Sequence, residues 1–348
     1  MKGATVGLMI MALGCFLFIP ASKSGLFSIF LLAIFGLGAG ITLVQVVANP
    51  LISLLGPART VHSRLTFAQA FNALGTTIFP PIGAAIILGG LASVSASSLS
   101  GEELAAYRTA ESQVVVNTYL GLAVAILAVA AVVWTRRNRL PAKPVEATSI
   151  LNAFGLLRQL RFGWGATCIF LYVGAEVAIG TILVNYLGQA NVWGMDPRSA
   201  GKHVVYYWGG AMVGRFIGSD ILRKVSPGLV LATVASAVIA LILISANSTG
   251  LIAGWAILSI GLMNSIMFPT IFSLACEGVE DRREEASGII CVAIVGGAVI
   301  PPLYGHLADL TNRQFALVLP ALCYLAIAAF GAYAGRSEAR RSIPARAA

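Results

Sequence analysis

Apolar residues in this chain fall in continuous runs, not in the alternation of a half-buried strand. Ten runs approach or exceed the length of about 20 residues that carries a helix across a bilayer. They cover approximately residues 4–20, 27–55, 65–90, 113–134, 163–187, 203–222, 228–246, 250–274, 287–307 and 315–334. The second and third are long enough to tilt or to run past the membrane. Strands of a membrane barrel would give short segments of alternating polarity instead. The pattern predicts an all-α, polytopic membrane protein with about ten transmembrane helices.

The polar positions between the runs set an orientation. With Met1 placed in the cytoplasm, 17 of the 23 Lys and Arg residues fall on the cytoplasmic side. Five fall on the other side, and Arg215 lies within a span. Such a bias predicts an even number of crossings and two cytoplasmic ends. The widest cytoplasmic gap holds Arg136, Arg137, Arg139, Pro141, Lys143 and Pro144. It divides the chain into a four-helix bundle over 1–134, a linker over 135–162, a six-helix bundle over 163–335 and a cytoplasmic tail over 336–348. Residues 91–112, with the serine-rich run Ser93–Ser100 and the pair Glu102–Glu103, are expected to form an external loop.

Composition agrees with a lipid solvent. Of 348 residues 58% are hydrophobic and 11% charged, against about 25% charged in soluble domains, and the mean hydropathy is +0.87. The net charge of +9 does not point to nucleic acid, because the cations sit in short clusters between apolar runs and not in one patch. The five cysteines show no CxxC, and an odd count argues against a disulfide framework. His62, His203 and His306 lack metal-ligand spacing. Neither a metal nor another cofactor is expected. There is no HExxH, no pair of acids at membrane depth and no GxxxxGK[ST] loop, so neither an intramembrane enzyme nor an ATP-driven pump fits.

Two distant stretches resemble each other. Val47-Ala48-Asn49-Pro50-Leu51-Ile52-Ser53-Leu54-Leu55 is followed by Phe79-Pro80-Pro81-Ile82-Gly83. Met267-Phe268-Pro269-Thr270-Ile271-Phe272-Ser273-Leu274 is followed by Ile300-Pro301-Pro302-Leu303-Tyr304-Gly305. Both start on the same side of the membrane, which makes a parallel repeat of the kind found in transporters. Pairing spans 1–4 with 7–10 leaves spans 5 and 6 without partners. The chain reads as 4 + 6 helices where the symmetry asks for 6 + 6.

The chain also resembles the fucose and glucose/galactose permeases of the major facilitator superfamily. The resemblance lies in Leu8–Cys15, in Gln45-Val46-Val47-Ala48-Asn49-Pro50, in Leu55-Gly56-Pro57 and in Arg64–Thr77. It continues in Tyr172-Val173-Gly174-Ala175-Glu176, Gly214-Arg215-Phe216-Ile217-Gly218 and Phe268–Leu274. It implies a fold of two six-helix bundles, a central sugar site and proton-driven uptake, so the partners implied are a small-molecule sugar, protons and the lipid bilayer. By this resemblance the chain starts at the family's third helix. Gln45 stands where the fucose transporter has a membrane glutamate important for proton coupling, and the other coupling acid lies on the first helix of the family. The sequence does not fix the oligomeric state, and a monomer is the default. The rival reading is a non-transporting membrane protein, either a sugar sensor or an inactive shortened permease.

Polar side chains at membrane depth are costly and face a cavity or a partner. Glu176 is the single acid near the middle of a span, and Tyr172 shares its helical face at i, i+4. Gln45 and Asn49 share a face, as do Gln69 and Asn72. Amides offer both donors and acceptors, which suits sugar hydroxyls. The candidate sugar contacts are Gln45, Gln69, Asn72, Tyr172, Glu176 and Asn264. Asn49 precedes Pro50 and can instead cap the carbonyl that the proline frees. Asn185 is a weaker candidate, and Tyr207 and Trp208 can stack on a sugar or anchor at the interface. Arg215 and Asp220 read as a latch between helices, or as simple snorkelling.

Overall fold

The computed structural model describes residues 1–89, 100–137 and 150–342. The expected external loop, linker and tail fall partly on residues 90–99, 138–149 and 343–348, outside the described residues. Among the described residues the chain is helical with no strand. The helices are α1 (Lys2–Ser24), α2 (Phe27–Leu54), α3 (Val61–Gly89), α4 (Gly101–Thr135), α5 (Ile150–Phe154), α6 (Leu160–Leu187), α7 (Pro197–Lys224), α8 (Pro227–Asn247), α9 (Gly250–Asn264), α10 (Met267–Ala275), α11 (Arg283–Ala293), α12 (Gly296–Leu310), α13 (Arg313–Ala316) and α14 (Val318–Ser342).

Eight stretches of the described residues are long and apolar enough to cross a membrane by length and composition. The two other long helices, α3 and α7, have 29 and 28 residues. Of these, α7 falls short in apolarity because it carries Lys202, His203, Arg215 and Asp220.

The chain divides into two compact units. The first comprises residues 1–49 and 78–147. Here α1 meets α2 through glycines: a side chain at Gly7 would strike the Gly40 carbonyl, and one at Gly14 would strike the Leu37 backbone. The Gly36/Gly40 spacing thus marks a real close approach of two helices. On its other side α1 packs Leu8, Ala12 and Cys15 against Ala123, Ile126 and Ala130 of α4. Phe18 stacks on Tyr119 with ring centroids 3.6 Å apart, and the Ser22 and Ser112 hydroxyls meet at 2.5 Å. Gly25 ends α1 with φ +65° and returns its N–H to the Ala21 carbonyl, a conformation that costs glycine little.

The second unit comprises residues 50–77 and 148–348. Its core includes five tyrosines with almost no exposure, Tyr172, Tyr186, Tyr207, Tyr304 and Tyr324. Buried tyrosines need partners for their hydroxyls. Tyr186 finds Ser245 and Tyr304 finds the Arg313 carbonyl. The glycine series on α7 faces α9: side chains at Gly214 and Gly218 would collide with Ser265 and Ile266. Asp196 caps α7 by accepting from the N–H groups of Arg198 and Ser199, with Pro197 at the first helical position.

Two of the predicted spans, 250–274 and 287–307, are each divided. α9 gives way to α10 across Ser265 and Ile266, and α11 to α12 across Ile294 and Val295. At the first break, residue 269 is proline and offers no N–H to the Ser265 carbonyl. At the second, Gly296 lies hard against the Phe170 carbonyl of α6.

Candidate functional site

The break between α9 and α10 is the centre of a polar network. The Tyr172 hydroxyl of α6 is 2.7 Å from Glu176 Oε1, one turn along the same helix, and 3.1 Å from the Asn264 carbonyl at the break. The Asn264 amide Nδ2 donates to the Tyr207 hydroxyl of α7 at 3.0 Å, and that hydroxyl lies 3.4 Å from the Glu176 carbonyl. Tyr324 of α14 also approaches Asn264, yet neither its hydroxyl nor Asn264 Oδ1 completes a hydrogen bond. Tyr172, Tyr207, Asn264 and Tyr324 are buried, while Glu176 keeps part of its surface open. The partly buried Glu176 therefore stands at one end of a buried tyrosine–amide network.

Arg215 completes the surroundings. Its Nε donates to the Ser265 carbonyl at 3.0 Å and its Nη1 to the Gln69 carbonyl at 3.1 Å. Beside it, Phe216 meets Phe67 and Phe71 of α3 edge to face.

The candidates read from the sequence are distributed unevenly. The second unit holds Tyr172, Glu176 and Asn264 within one hydrogen-bonded network. Gln69 enters through its backbone carbonyl, with its side chain half-buried, and Asn72 is exposed one turn further along α3. Gln45 is half-buried in the first unit, on the same helix as the buried Asn49. Asn185 is exposed at the end of α6 and stands outside the network. Tyr207 is neither an interfacial anchor nor a free stacking platform, because it is buried and bonded to Asn264. Asp220 does not join Arg215 in a latch. It forms an exposed pair with Lys224 at 3.0 Å.

A second cluster had no signal in the sequence. His62 Nδ1 lies 2.6 Å from Ser273 Oγ, and its Nε2 lies 3.4 Å from Glu277 Oε1. Glu277 Oε2 takes Arg161 Nη2 at 2.5 Å, while Arg161 Nε donates to the Leu274 carbonyl in the last turn of α10 at 2.8 Å. Cavities of about 340 and 260 Å³ flank His62 and Glu277, and neither is lined by Glu176. Among the described residues, no group of His, Cys, Asp and Glu is placed to hold a metal.

Comparison with known proteins adds the family. The profile of the Major Facilitator Superfamily matches residues 2–302. The chain is 42% identical over 336 residues to a glucose/galactose transporter of Brucella abortus, covering 97% of this chain and 79% of that protein. It is 30% identical over 342 residues to the L-fucose-proton symporter of Escherichia coli K12, covering 95% and 77%. The crystal structure of the superfamily transporter FucP in the outward conformation superposes with a TM-score of 0.88 at 30% identity, over 95% of this chain and 82% of that one. The helical architecture, the profile match and these relatives together place the chain in the Major Facilitator Superfamily, a family of membrane transporters and not of enzymes.

Proposed function

We propose that this protein is a secondary active transporter of a neutral monosaccharide of the glucose, galactose or fucose class. The observation that carries the reading is the partly buried acid Glu176 at the end of the Tyr172–Asn264–Tyr207 network. The names of the relatives, a glucose/galactose transporter and an L-fucose-proton symporter, support the substrate class. A sensor would need a similar site, but transporters are what the chain is similar to along nearly its whole length.

The chemistry follows from the functional groups. An ionised Glu176 accepts hydrogen bonds from sugar hydroxyls, and a protonated one donates. In the ionised form the carboxylate draws the Tyr172 proton to itself. In the protonated form Glu176 donates to the Tyr172 oxygen, and the Tyr172 proton is free for the Asn264 carbonyl. One proton at Glu176 thereby changes the bonding of the α9–α10 break. This offers a route to proton coupling in a chain where Gln45 stands in place of a coupling glutamate. Gln45, Gln69, Asn72 and Asn264 would supply amide contacts to the sugar.

The protein would act as a monomer in the bacterial inner membrane, with both termini cytoplasmic. Transport would proceed by alternating access between the four-helix bundle of residues 1–134 and the six-helix bundle of residues 163–335. Reporters fused after residues 139 and 341 should read cytoplasmic, and one at residue 98 external. A cytoplasmic signal at residue 98 overturns the ten-span topology.

Reconstituted vesicles test the function. Radiolabelled glucose, galactose or fucose should exchange in counterflow, which needs no gradient, and accumulate under an inward proton gradient. Accumulation of an organic anion with no response to hexoses would refute the substrate class. Glu176→Gln should impair exchange well beyond Glu102→Gln, a change at an exposed position. Loss of both counterflow and gradient-driven uptake marks Glu176 as a binding group, and loss of uptake alone marks it as the proton site. Full activity in both reduces Glu176 to helix packing.

A further inference from the structure

Arg215 donates to two backbone carbonyls. The Ser265 carbonyl would accept from the N–H of residue 269 in a continuous helix, but that residue is Pro269. Arg215 Nε takes this carbonyl at 3.0 Å, beside the Asn264 carbonyl reached by Tyr172. The same guanidinium reaches α3 and donates to the Gln69 carbonyl at 3.1 Å. A planar fork can serve two acceptors held at a fixed separation, which a lysine ammonium does poorly. Gly214, the preceding residue, lies so close to the Leu262 carbonyl and Ser265 that a side chain there has no room. That close approach holds α7 against the break and fixes where the guanidinium lies.

Each carbonyl belongs to a segment that carries candidate sugar contacts. Gln69 and Asn72 project from α3, and Asn264 immediately precedes Ser265. Tyr172, which reaches the Asn264 carbonyl beside Ser265, also bonds Glu176. We propose that Arg215 is a positioning residue for the sugar site, holding α3 and the α9–α10 break in register around Glu176 without touching the sugar. The proposal rests on the sugar-transport reading above.

The test uses the purified full chain, with equilibrium binding of radiolabelled galactose, glucose and fucose, counterflow kinetics and a thermal unfolding scan. Arg215→Gln removes both bonds, and Arg215→Lys keeps the charge but cannot fork to both carbonyls. Binding of the preferred sugar should weaken about tenfold in Arg215→Gln and about threefold in Arg215→Lys, in line with the loss of charge-assisted bonds to misplaced groups. The counterflow KM should rise with the binding constant, while the maximal rate per folded molecule stays within about threefold. Lys224→Gln, at an exposed position on the same helix, should match the parent. If Arg215→Gln does not fold, Arg215→Lys decides. Unchanged binding and KM in Arg215→Lys, or a fall in maximal rate with KM unaltered, overturns the proposal and leaves a purely structural arginine. A parent protein that binds none of the three hexoses refutes the transport reading itself, and the proposal falls with it. A parent that binds sugar alongside unaffected variants refutes only the role of Arg215.

Discussion

Pro50 and Pro269 stand at matching places in two similar stretches, yet their helices differ. α2 runs unbroken from Phe27 to Leu54 through Pro50, whereas the second copy parts at Ser265 and Ile266, just ahead of Pro269. The double prolines repeat the contrast. Pro80 and Pro81 lie inside the continuous α3, while Pro301 and Pro302 lie in α12, shortly after the break that follows α11. A proline removes one donor wherever it stands, so it does not by itself open a helix. The second copy has donors from outside: Arg215 serves the Ser265 carbonyl and Tyr172 reaches the Asn264 carbonyl. In the first copy an arginine of α3 acts further along. Arg64 bonds the Ile52 and Ser53 carbonyls and so caps the end of α2. External donors at the break open one helix, and external donors at the end close the other.

The largest test of this contrast exchanges the prolines for alanine. Pro269→Ala returns an N–H to the Ser265 carbonyl, in competition with Arg215. A proline-to-alanine change inside a helix is worth about 3 kcal/mol of helix stability. Thermal stability should therefore rise while counterflow falls more than about tenfold, because the network loses its opening. Pro50→Ala should leave counterflow within about twofold of the parent. Equal losses in the two variants would erase the distinction.

A smaller effect separates the two capping arginines. Arg161 caps the Leu274 carbonyl of α10 and pairs with Glu277, with side chains only 13% and 27% exposed. Breaking a buried pair costs about 3–5 kcal/mol. Partial exposure of Glu277 brings the expectation for Arg161→Ala to about 2 kcal/mol. Arg64 serves carbonyls nearer the surface and has no acid among its partners. Arg64→Ala should lower the unfolding temperature by less than Arg161→Ala does, and the reverse order would show that the Glu277 pair adds nothing.

The smallest effect belongs to a cap outside both copies. Ser199 and the N–H of Arg198 hold the exposed Asp196 carboxyl below the usual carboxylate range. A depressed native pKa gives stability that is present above the unfolded value and lost as pH falls through the native one. Asp196→Ala should thus lower the unfolding temperature slightly at neutral pH. The difference should begin to shrink as pH falls below about 3.8 and vanish once pH has passed the lower native value. A difference that persists in acid would assign the loss to backbone propensity and not to the charged cap.

The sequence alone determined the solvent, the helices and the local pairs. Long apolar runs can satisfy their backbone in lipid only as helices, and residues four apart on a helix must share a face. For that reason the shared face of Tyr172 and Glu176 was legible before any fold was known. Tertiary structure decided the partners that arrive from elsewhere. Asn264 meets Tyr207 across 57 residues, Arg215 meets the Gln69 carbonyl across 146 and His62 meets Ser273 across 211. The same applies to the break at Ser265, which the repeat disguised as a continuous span. A proline in the sequence announces a missing donor, but whether the helix opens depends on which side chain packing brings to the freed carbonyl.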